Sequence, residues 1–219
     1  MAKPAPLTMP LEDAMRTQRA IRRLKPDPVD DDLVLHLIEL ALKAPSGSNA
    51  QTWEFIVVKD KEVKAKLGRL NRGAFSLYGA IGRRQMKRAG NEPMLRIIEA
   101  VQWQADHFDD IPVVVVACLN GWIPPWPPLA ASSLYGSIYP SVQNLLLAAR
   151  AAGLGAALIT LPLWSKLLAQ RALGLPFKVT PCAVIPLGWP TGKYGPTKRR
   201  PVEEVVSLDR YGNRAFLRR

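Results

Sequence analysis

The stretch IPVVVVACL at residues 111–119 decides how this chain folds. A continuous apolar run of this length, rich in β-branched valine, predicts a strand that is buried on both faces. Other strands are predicted at Trp53–Val58, at residues 156–161 and at residues 179–187. Helices are predicted between them, at residues 11–24, from Asp30 to just before Pro45, at 61–70, from near Pro93, at 137–152 and at 163–173. Because helices and strands are intermixed, we expect one layered α/β domain.

The composition fits one globular domain. The chain has 219 residues, of which 48% are hydrophobic, enough for a sizeable core. No apolar run approaches the ~18 residues of a membrane-spanning helix, and no signal peptide is evident, so a cytoplasmic location is expected. Cys118 and Cys182 lie in apolar runs and are expected to be buried free thiols.

The charge favours anionic partners. The net charge is +12, which attracts nucleic acid, a membrane surface or a phosphate-bearing cofactor. Basic residues occur at 16–25, 59–72, 83–96 and 193–219, and acidic residues interleave with them in most of these segments. No helix-turn-helix, zinc-finger or RNA-binding signature is evident, so nucleic-acid binding is the weaker alternative.

Several catalytic patterns are excluded. Gly153-Leu154-Gly155 precedes a predicted strand, whereas a dinucleotide-binding glycine motif follows one. Residues 188–193 are one residue short of a phosphate loop. His36 and His107 have no second ligand at metal-binding spacing, so no metal is expected. With no hydrolytic triad pattern either, an enzyme of this sequence would rely on a cofactor for its chemistry.

Two segments have side chains suited to a phosphorylated heterocycle. Residues 16–24, RTQRAIRRL, carry four arginines, which form either a solvated helix or a grip on phosphate through their planar guanidinium groups. Residues 44–53, APSGSNAQTW, form either a plain turn or a loop whose carboxamides meet the edge of a heterocycle.

These segments and two others, in this order, resemble the FMN-dependent nitroreductase family. Arg19-Ala20-Ile21-Arg22 with Leu24 is similar to the family's first motif, and Ala44–Trp53 to its second. Gln143-Asn144 through Gly155 is similar to the third, and Gly188–Val206 to the closing one. The resemblance spans about residues 14–212.

The resemblance implies a fold and an assembly. It implies an α/β, nitroreductase-like fold with a central, mostly antiparallel sheet flanked by helices. It also implies a homodimer with two FMN sites at its interface and a domain-swapped C-terminal tail. We therefore expect a single FMN-binding domain at 11–212, while residues 1–10, which carry three prolines, are expected to form an extended arm. A lid or insertion is expected within 71–130, and a C-terminal arm at 188–219 that wraps the partner.

The resemblance also implies the cofactor site. Arg19, Lys198 and Arg199 would bind the FMN phosphate, and Arg22 would face the pyrimidine edge. The loop at 45–51 would contact flavin from the partner subunit, and residues 159–161 would place backbone groups near flavin N5. The expected cofactor-binding residues are Arg19, Ala20, Arg22, Pro45, Ser46, Gly47, Asn49, Gln51, Ile159, Thr160, Leu161, Lys198 and Arg199.

The sequence departs from the family pattern at four positions. Ala20 replaces a serine whose hydroxyl can bond the phosphate or ribityl chain, which shifts expected phosphate binding toward Lys198 and Arg199. Leu24 replaces an aromatic residue and Thr52 replaces proline. Thr160 stands where some members carry an acidic residue, so a backbone N–H, rather than this side chain, is expected at N5.

The implied function is oxidoreduction without a catalytic side chain. NADH or NADPH would give hydride to FMN, and a small acceptor such as a nitroaromatic or quinone would then take the electrons in a ping-pong sequence. Residues 71–91 and the loop Trp122–Trp126 form either a lid that selects the acceptor or a packing and dimer contact. Alternatives within the fold are a reductive dehalogenase, a flavin-fragmenting enzyme and a reductase of another flavin-like cofactor.

Overall fold

A four-stranded antiparallel sheet forms the centre of the molecule. The computed structural model describes residues 6–121, 123 and 128–214. The strands are β1 (Trp53–Val58), β2 (Val113–Asn120), β3 (Gly155–Ala156) and β4 (Val179–Gly188), arranged in the order β1-β2-β4-β3. All three pairings are antiparallel. The expected layered α/β fold with an antiparallel sheet is confirmed.

Helices cover both faces of this sheet. They are α1 (Leu11–Thr17), α2 (Asp31–Ala41), α3 (Lys61–Arg88), α4 (Glu92–Asp106), α5 (Pro128–Ala151) and α6 (Lys166–Leu173). As predicted, Asp30 caps α2, because its carboxylate accepts hydrogen bonds from the N–H groups of Asp32 and Leu33.

The valine-rich run forms β2 and contributes to two hydrophobic cores. Val113 and Val115 pack with Leu37 of α2 and Leu145 of α5 on one face. On the other face Val114, Val116 and Cys118 pack with Leu67 of α3 and with Phe108. Because successive side chains of a strand point to opposite faces, a strand between two helical layers must be apolar throughout.

The first predicted helix is wrong beyond residue 17. α1 ends at Thr17, and residues 18–25 are extended, with Leu24 bridged to Pro190. The N–H of Ile21 donates to the carbonyl of Ala156 at 3.0 Å, so this segment lies beside the sheet edge. Arg19, Arg22 and Arg23 therefore belong to an extended segment, because tertiary hydrogen bonds and burial of Leu24 override local helix propensity.

The predicted strand at 156–161 is also interrupted. Only Gly155–Ala156 pairs continuously with β4, although Ile159 exchanges both backbone hydrogen bonds with Val184 at 2.9 Å. In an antiparallel ladder the next such pair would join Ala157 to Pro186. Proline has no N–H to donate, so the ladder breaks at that point.

Two helices are longer than predicted. α3 continues to Arg88 rather than ending near residue 70, so most of the segment 71–91 is helical. α5 begins at Pro128 rather than near 137. Glycines at 73, 79 and 82 dilute the apolar period of α3, which is the signal that sequence reasoning uses.

Three further expectations concern the cysteines, membrane-spanning helices and the tryptophan loop. Cys118 and Cys182 are buried free thiols, as predicted. None of the described helices combines the length and the apolarity that crossing a lipid bilayer requires. In the loop Trp122–Trp126 only Ile123 belongs to the described residues, so the lid assigned to it stays a prediction.

Candidate functional site

The arginine segment, residues 18–25, runs along the edge of the sheet beside β3. The N–H of Lys25 donates to the carbonyl of Trp189 at 2.8 Å. The side chains of Ile21 and Leu24 pack closely against position 155, which favours glycine there. A Cβ atom there would lie 2.7 Å from Leu24 Cδ2 and 2.8 Å from Ile21 Cγ2. Gly155, which belongs to the third sequence motif, therefore leaves room for the side chains of the first motif.

The C-terminal segment, residues 189–199, runs antiparallel to the arginine segment. The N–H of Thr191 donates to the carbonyl of Arg23 at 3.1 Å, and that of Thr197 donates to the carbonyl of Arg16 at 3.0 Å. Lys198 follows directly after this second contact. The structure therefore brings the first and fourth sequence motifs together on one side of the molecule.

Three residues that sequence reasoning missed join these segments to the end of α5. Arg150 donates a hydrogen bond from Nε to Thr17 Oγ1 at 2.8 Å, and its guanidinium carbon lies 4.1 Å from the centre of the Tyr194 ring. The Tyr194 hydroxyl donates to the carbonyl of Leu154. A signal was present, since Arg150 is the one charged residue in the apolar run 144–158.

Arg22 is the predicted site residue with the most unusual environment. Its Nε is buried and has no hydrogen-bond partner among the described residues. Burial lowers the pKa of its guanidinium. Arg22 as a whole is half-buried, and a buried donor without a partner is costly, so this position is suited to an anionic or hydrogen-bond-accepting ligand.

The other basic site residues are open to solvent. Arg19, Lys198 and Arg199 are exposed, and the Arg199 guanidinium donates only to the carbonyl of Lys198, at 2.8 Å. The neighbouring Arg16 differs, because Glu12 engages its guanidinium at 2.7 Å. The guanidinium and ammonium groups predicted to bind phosphate thus keep donors available, whereas Arg16 has a partner of its own.

The loop at residues 45–51 is held in a strained conformation against α5. The N–H of Gly47 donates to Ser137 Oγ at 2.9 Å, and Trp53 Nε1 donates to the Ser137 carbonyl, also at 2.9 Å. Ser48, Asn49 and Gln51 have φ values of 52°, 52° and 50°. Left-handed backbone at three non-glycine residues is expensive and is typical of functional loops.

A single chain does not bring this loop to the arginine segment. The loop contacts Ser137, whereas the arginine segment is tied to Arg150, which lies thirteen residues further along α5. At a rise of 1.5 Å per residue the two anchoring points are about 20 Å apart. No hydrogen bond or ion pair joins Pro45, Ser46, Gly47, Asn49 or Gln51 to the arginine segment within the described part of the chain.

Residues 159–161 leave backbone donors free. Ile159 is fixed by its two hydrogen bonds to Val184. After it, the N–H groups of Thr160 and Leu161 have no acceptor among the described residues. The Thr160 carbonyl accepts from the Leu163 N–H at 2.8 Å, which starts a short 3₁₀ turn. The two amides are therefore oriented by the sheet on one side and by this turn on the other.

Thr160 also lines a hollow on the described surface. The hollow is open and has a volume of about 680 Å³. Its walls are Ser132, Tyr135, Gly136, Tyr139, Thr160, Leu163, Trp164, Pro181 and Cys182. Sequence reasoning assigned only Thr160 of these residues. The three aromatic side chains give this hollow a surface suited to planar, apolar groups.

The histidines make only local contacts. His36 Nδ1 lies 3.4 Å from Glu39 Oε2, and His107 lies against Trp103. Within residues 6–121, 123 and 128–214, no cluster of three or more potential metal ligands is found.

The chain is similar in sequence to known proteins along most of its length. A model of the nitroreductase family matches residues 15–189. A putative NADH dehydrogenase/NAD(P)H nitroreductase from Methanothermobacter thermautotrophicus is 28% identical over 189 residues, covering 85% of this chain and 81% of the relative. An NADH dehydrogenase from Thermus thermophilus is 27% identical over 213 residues, covering 91% of this chain and 97% of the relative.

The fold agrees with that comparison. The crystal structure of oxidised iodotyrosine deiodinase bound to FMN and 3-iodo-L-tyrosine superimposes with a TM-score of 0.67 at 20% identity. The match covers 93% of this chain and 99% of that one. With the family model spanning most of the sequence, the chain belongs to the nitroreductase family, a family of oxidoreductases.

Proposed function

We propose that this chain is an FMN-dependent oxidoreductase that takes electrons from NADH or NADPH and passes them to small electron-poor acceptors. The observation that carries the proposal is the buried and unpaired Nε of Arg22. The arginine segment and the C-terminal segment beside it also carry the exposed cations Arg19, Lys198 and Arg199. FMN, when bound, would supply the two-electron relay between donor and acceptor.

The phosphate end of the cofactor fits the two basic segments. Arg19 lies on the arginine segment, and Lys198 and Arg199 lie on the segment that runs beside it. Guanidinium groups bind phosphate with paired, charge-assisted hydrogen bonds. With alanine at position 20, these three side chains would provide the phosphate contacts on their own.

The ring end would be placed by Arg22 and residues 159–161. A cation at the pyrimidine edge stabilises the negative charge that the ring acquires on reduction. A free N–H of Thr160 or Leu161 would donate to N5 and fix the ring edge. The loop at 45–51 lies about 20 Å away along α5, so in this proposal the loop of a second copy covers the cofactor.

The reaction balances without an acidic or basic side chain. The dihydronicotinamide loses a hydride, which carries two electrons and one proton. A quinone acceptor gains two electrons and two protons and leaves as hydroquinone, the second proton coming from solvent. The chain's own contribution is to bind, orient and exclude water.

A visible spectrum tests this proposal. Purified protein should be yellow, with the absorption bands of oxidised flavin, and should bleach when NADH or NADPH is added without oxygen. Air or a quinone should restore the colour. A colourless protein that also ignores added FMN would refute the proposal.

Reductive dehalogenation is a second candidate function. The hollow at Thr160 is lined by Tyr135, Tyr139 and Trp164, which suits a halogenated aromatic ring, and one structural neighbour is a deiodinase. Rapid release of iodide from 3-iodotyrosine, with poor turnover of quinones, would favour this function over the first.

A further inference from the structure

A cationic groove lies between α3 and α6, apart from the arginine segment. It has a volume of about 370 Å³ and is lined by Lys66, Arg69, Leu70, Leu168, Arg171 and Ala172. Two of its cations come from α3 and one from α6. Its floor is apolar, and no acidic residue lines it.

The three cations of the groove have no counter-ion among the described residues. Lys66, Arg69 and Arg171 are exposed, and their side chains form no ion pair or hydrogen bond with any residue that the structure describes. By contrast Arg72, three residues beyond Arg69 on α3, lies 3.6 Å from Asp109. Like charges gathered around a concave surface raise the local concentration of anions.

The groove continues toward the backbone amides expected at the flavin. A second hollow, of about 320 Å³, shares Arg69 and Leu70 with the cationic groove and extends to Leu161 and Trp164. Along α3 the two hollows extend from Lys66 to Leu77, which is about 16 Å at a rise of 1.5 Å per residue. The hollow that Leu161 lines therefore adjoins the cationic groove, with Arg69 in the wall of both.

We propose that the cationic groove binds the phosphate groups of the nicotinamide dinucleotide donor, whose nicotinamide end reaches Leu161. This inference rests on the proposed function, which places the flavin ring beside that residue. Guanidinium and ammonium groups match phosphate oxygens, and Leu70 and Leu168 provide an apolar surface for the adenosine. Three cations without counter-ions favour the donor with the larger phosphate charge, so NADPH is the expected substrate.

A donor without phosphates provides the kinetic test. The dihydronicotinamide of 1-benzyl-1,4-dihydronicotinamide can give hydride but has nothing to bind the groove. In Arg171→Gln and Lys66→Gln, kcat/KM for NADPH relative to the benzyl donor should fall about tenfold each, the effect of one charge-assisted contact. The fall should reside in KM for NADPH and should diminish at high salt, because exposed charges are screened.

A binding measurement tests the groove without any redox activity. Calorimetric titration with 2′,5′-ADP should show binding to wild-type protein that weakens about tenfold in Arg171→Gln. Lys87→Gln, at the end of the same helix, removes an equal charge outside the groove and should match wild type in both experiments.

Specific outcomes would overturn the proposal. One such outcome is a ratio of kcat/KM for NADPH to kcat/KM for the benzyl donor that is the same in the variants as in wild type. Another is binding of 2′,5′-ADP that is equally tight in wild type and in Arg171→Gln. Binding of duplex DNA that depends on Arg171 when 2′,5′-ADP does not bind would also overturn it. A protein without flavin would refute the proposed function instead, while the 2′,5′-ADP titration would still report on the groove.

Discussion

Near the middle of α5 a serine holds the loop at 45–51, and at the C-terminal end of the same helix an arginine holds the two basic segments. The loop is fixed by hydrogen bonds to Ser137, and its backbone is strained. The basic segments are fixed through Arg150 and Gly155, and they leave Arg22 Nε buried without a partner. The difference indicates that the basic segments offer donors to a ligand, whereas the loop is held by contacts within the chain and presents exposed polar groups outward.

The largest expected effect is in the basic segments. The double variant Arg19→Ala with Arg199→Ala would remove two of the proposed charged phosphate contacts, which together would contribute about 3 kcal/mol. We expect FMN to bind on the order of 100-fold more weakly, measured by flavin fluorescence titration of the apoprotein. Arg16→Ala is the matched control, because Glu12 engages that guanidinium. Equal FMN affinity in the double variant and the control would contradict the assignment.

Adding one methyl group should displace the arginine segment. In Gly155→Ala the new Cβ would lie 2.7 Å from Leu24 and 2.8 Å from Ile21. Overpacking of this kind typically costs about 1–3 kcal/mol, so the melting temperature should fall and FMN affinity with it. Gly192→Ala provides the comparison, since nothing lies within 4 Å of its Cβ. An unchanged melting temperature for Gly155→Ala would show that this edge of the sheet is not tightly packed.

Removing one hydroxyl should affect the loop alone. Ser137→Ala leaves the Gly47 N–H without its acceptor and should cost about 1 kcal/mol of unfolding free energy. Ser141→Ala is a matched control on the same helix, because that hydroxyl donates only to the Ile138 carbonyl. If the loop covers the cofactor of a second copy, Ser137→Ala should also speed FMN release. Release rates equal to those of Ser141→Ala would argue against that arrangement.

The smallest expected effect concerns the two thiols. Burial raises the pKa of Cys118 to about 12 and that of Cys182 to about 11, so little reactive thiolate is present near pH 8. A disulfide reagent should label native protein far more slowly than unfolded protein, and Cys182 should react first. Prompt labelling of Cys118 would mean that the sheet opens more readily than its packing indicates.

The raised pKa values of the two thiols also predict that the folded protein loses stability at alkaline pH. Both folded-state pKa values lie above the ordinary thiol value of 9.0. The unfolded chain therefore loses these protons first, and the stabilisation is present below pH 9 and declines as pH rises toward 12. Denaturant midpoints measured across that range should fall. The double variant Cys118→Ala with Cys182→Ala should show a shallower decline.

The strands β1 and β2 could be predicted from the sequence because their form depends on the residues within them. The valine run gave β2 because a strand buried on both faces needs no polar positions. Trp53–Val58 was predicted with its observed bounds. The arginine segment was mistaken for a helix because its extended form depends on Gly155 and Ala156, more than 130 residues away. Pro186 broke the predicted strand at 156–161 from the opposite side of the ladder, where no local signal in that strand could show it.

The candidate site was predictable only in its pieces. Four motifs in order led to the candidate residues, but sequence could not show that the first and fourth run side by side. Nor could it show that Arg150 and Tyr194 join them to α5, because each of these contacts is long-range. The aromatic residues Tyr135 and Tyr139 become wall residues of a hollow only once α5 is placed over β4.

The break at Pro186 has a consequence for solubility during folding. A long, open strand edge is a template for pairing with other chains and thus for aggregation. Here β3 has only two residues, and its outer side accepts a hydrogen bond from Ile21. An approaching strand would therefore find only a two-residue, partly covered strand to pair with on this side of the sheet. The proline that frees residues 157–158 from the ladder also protects the sheet from edge-to-edge association.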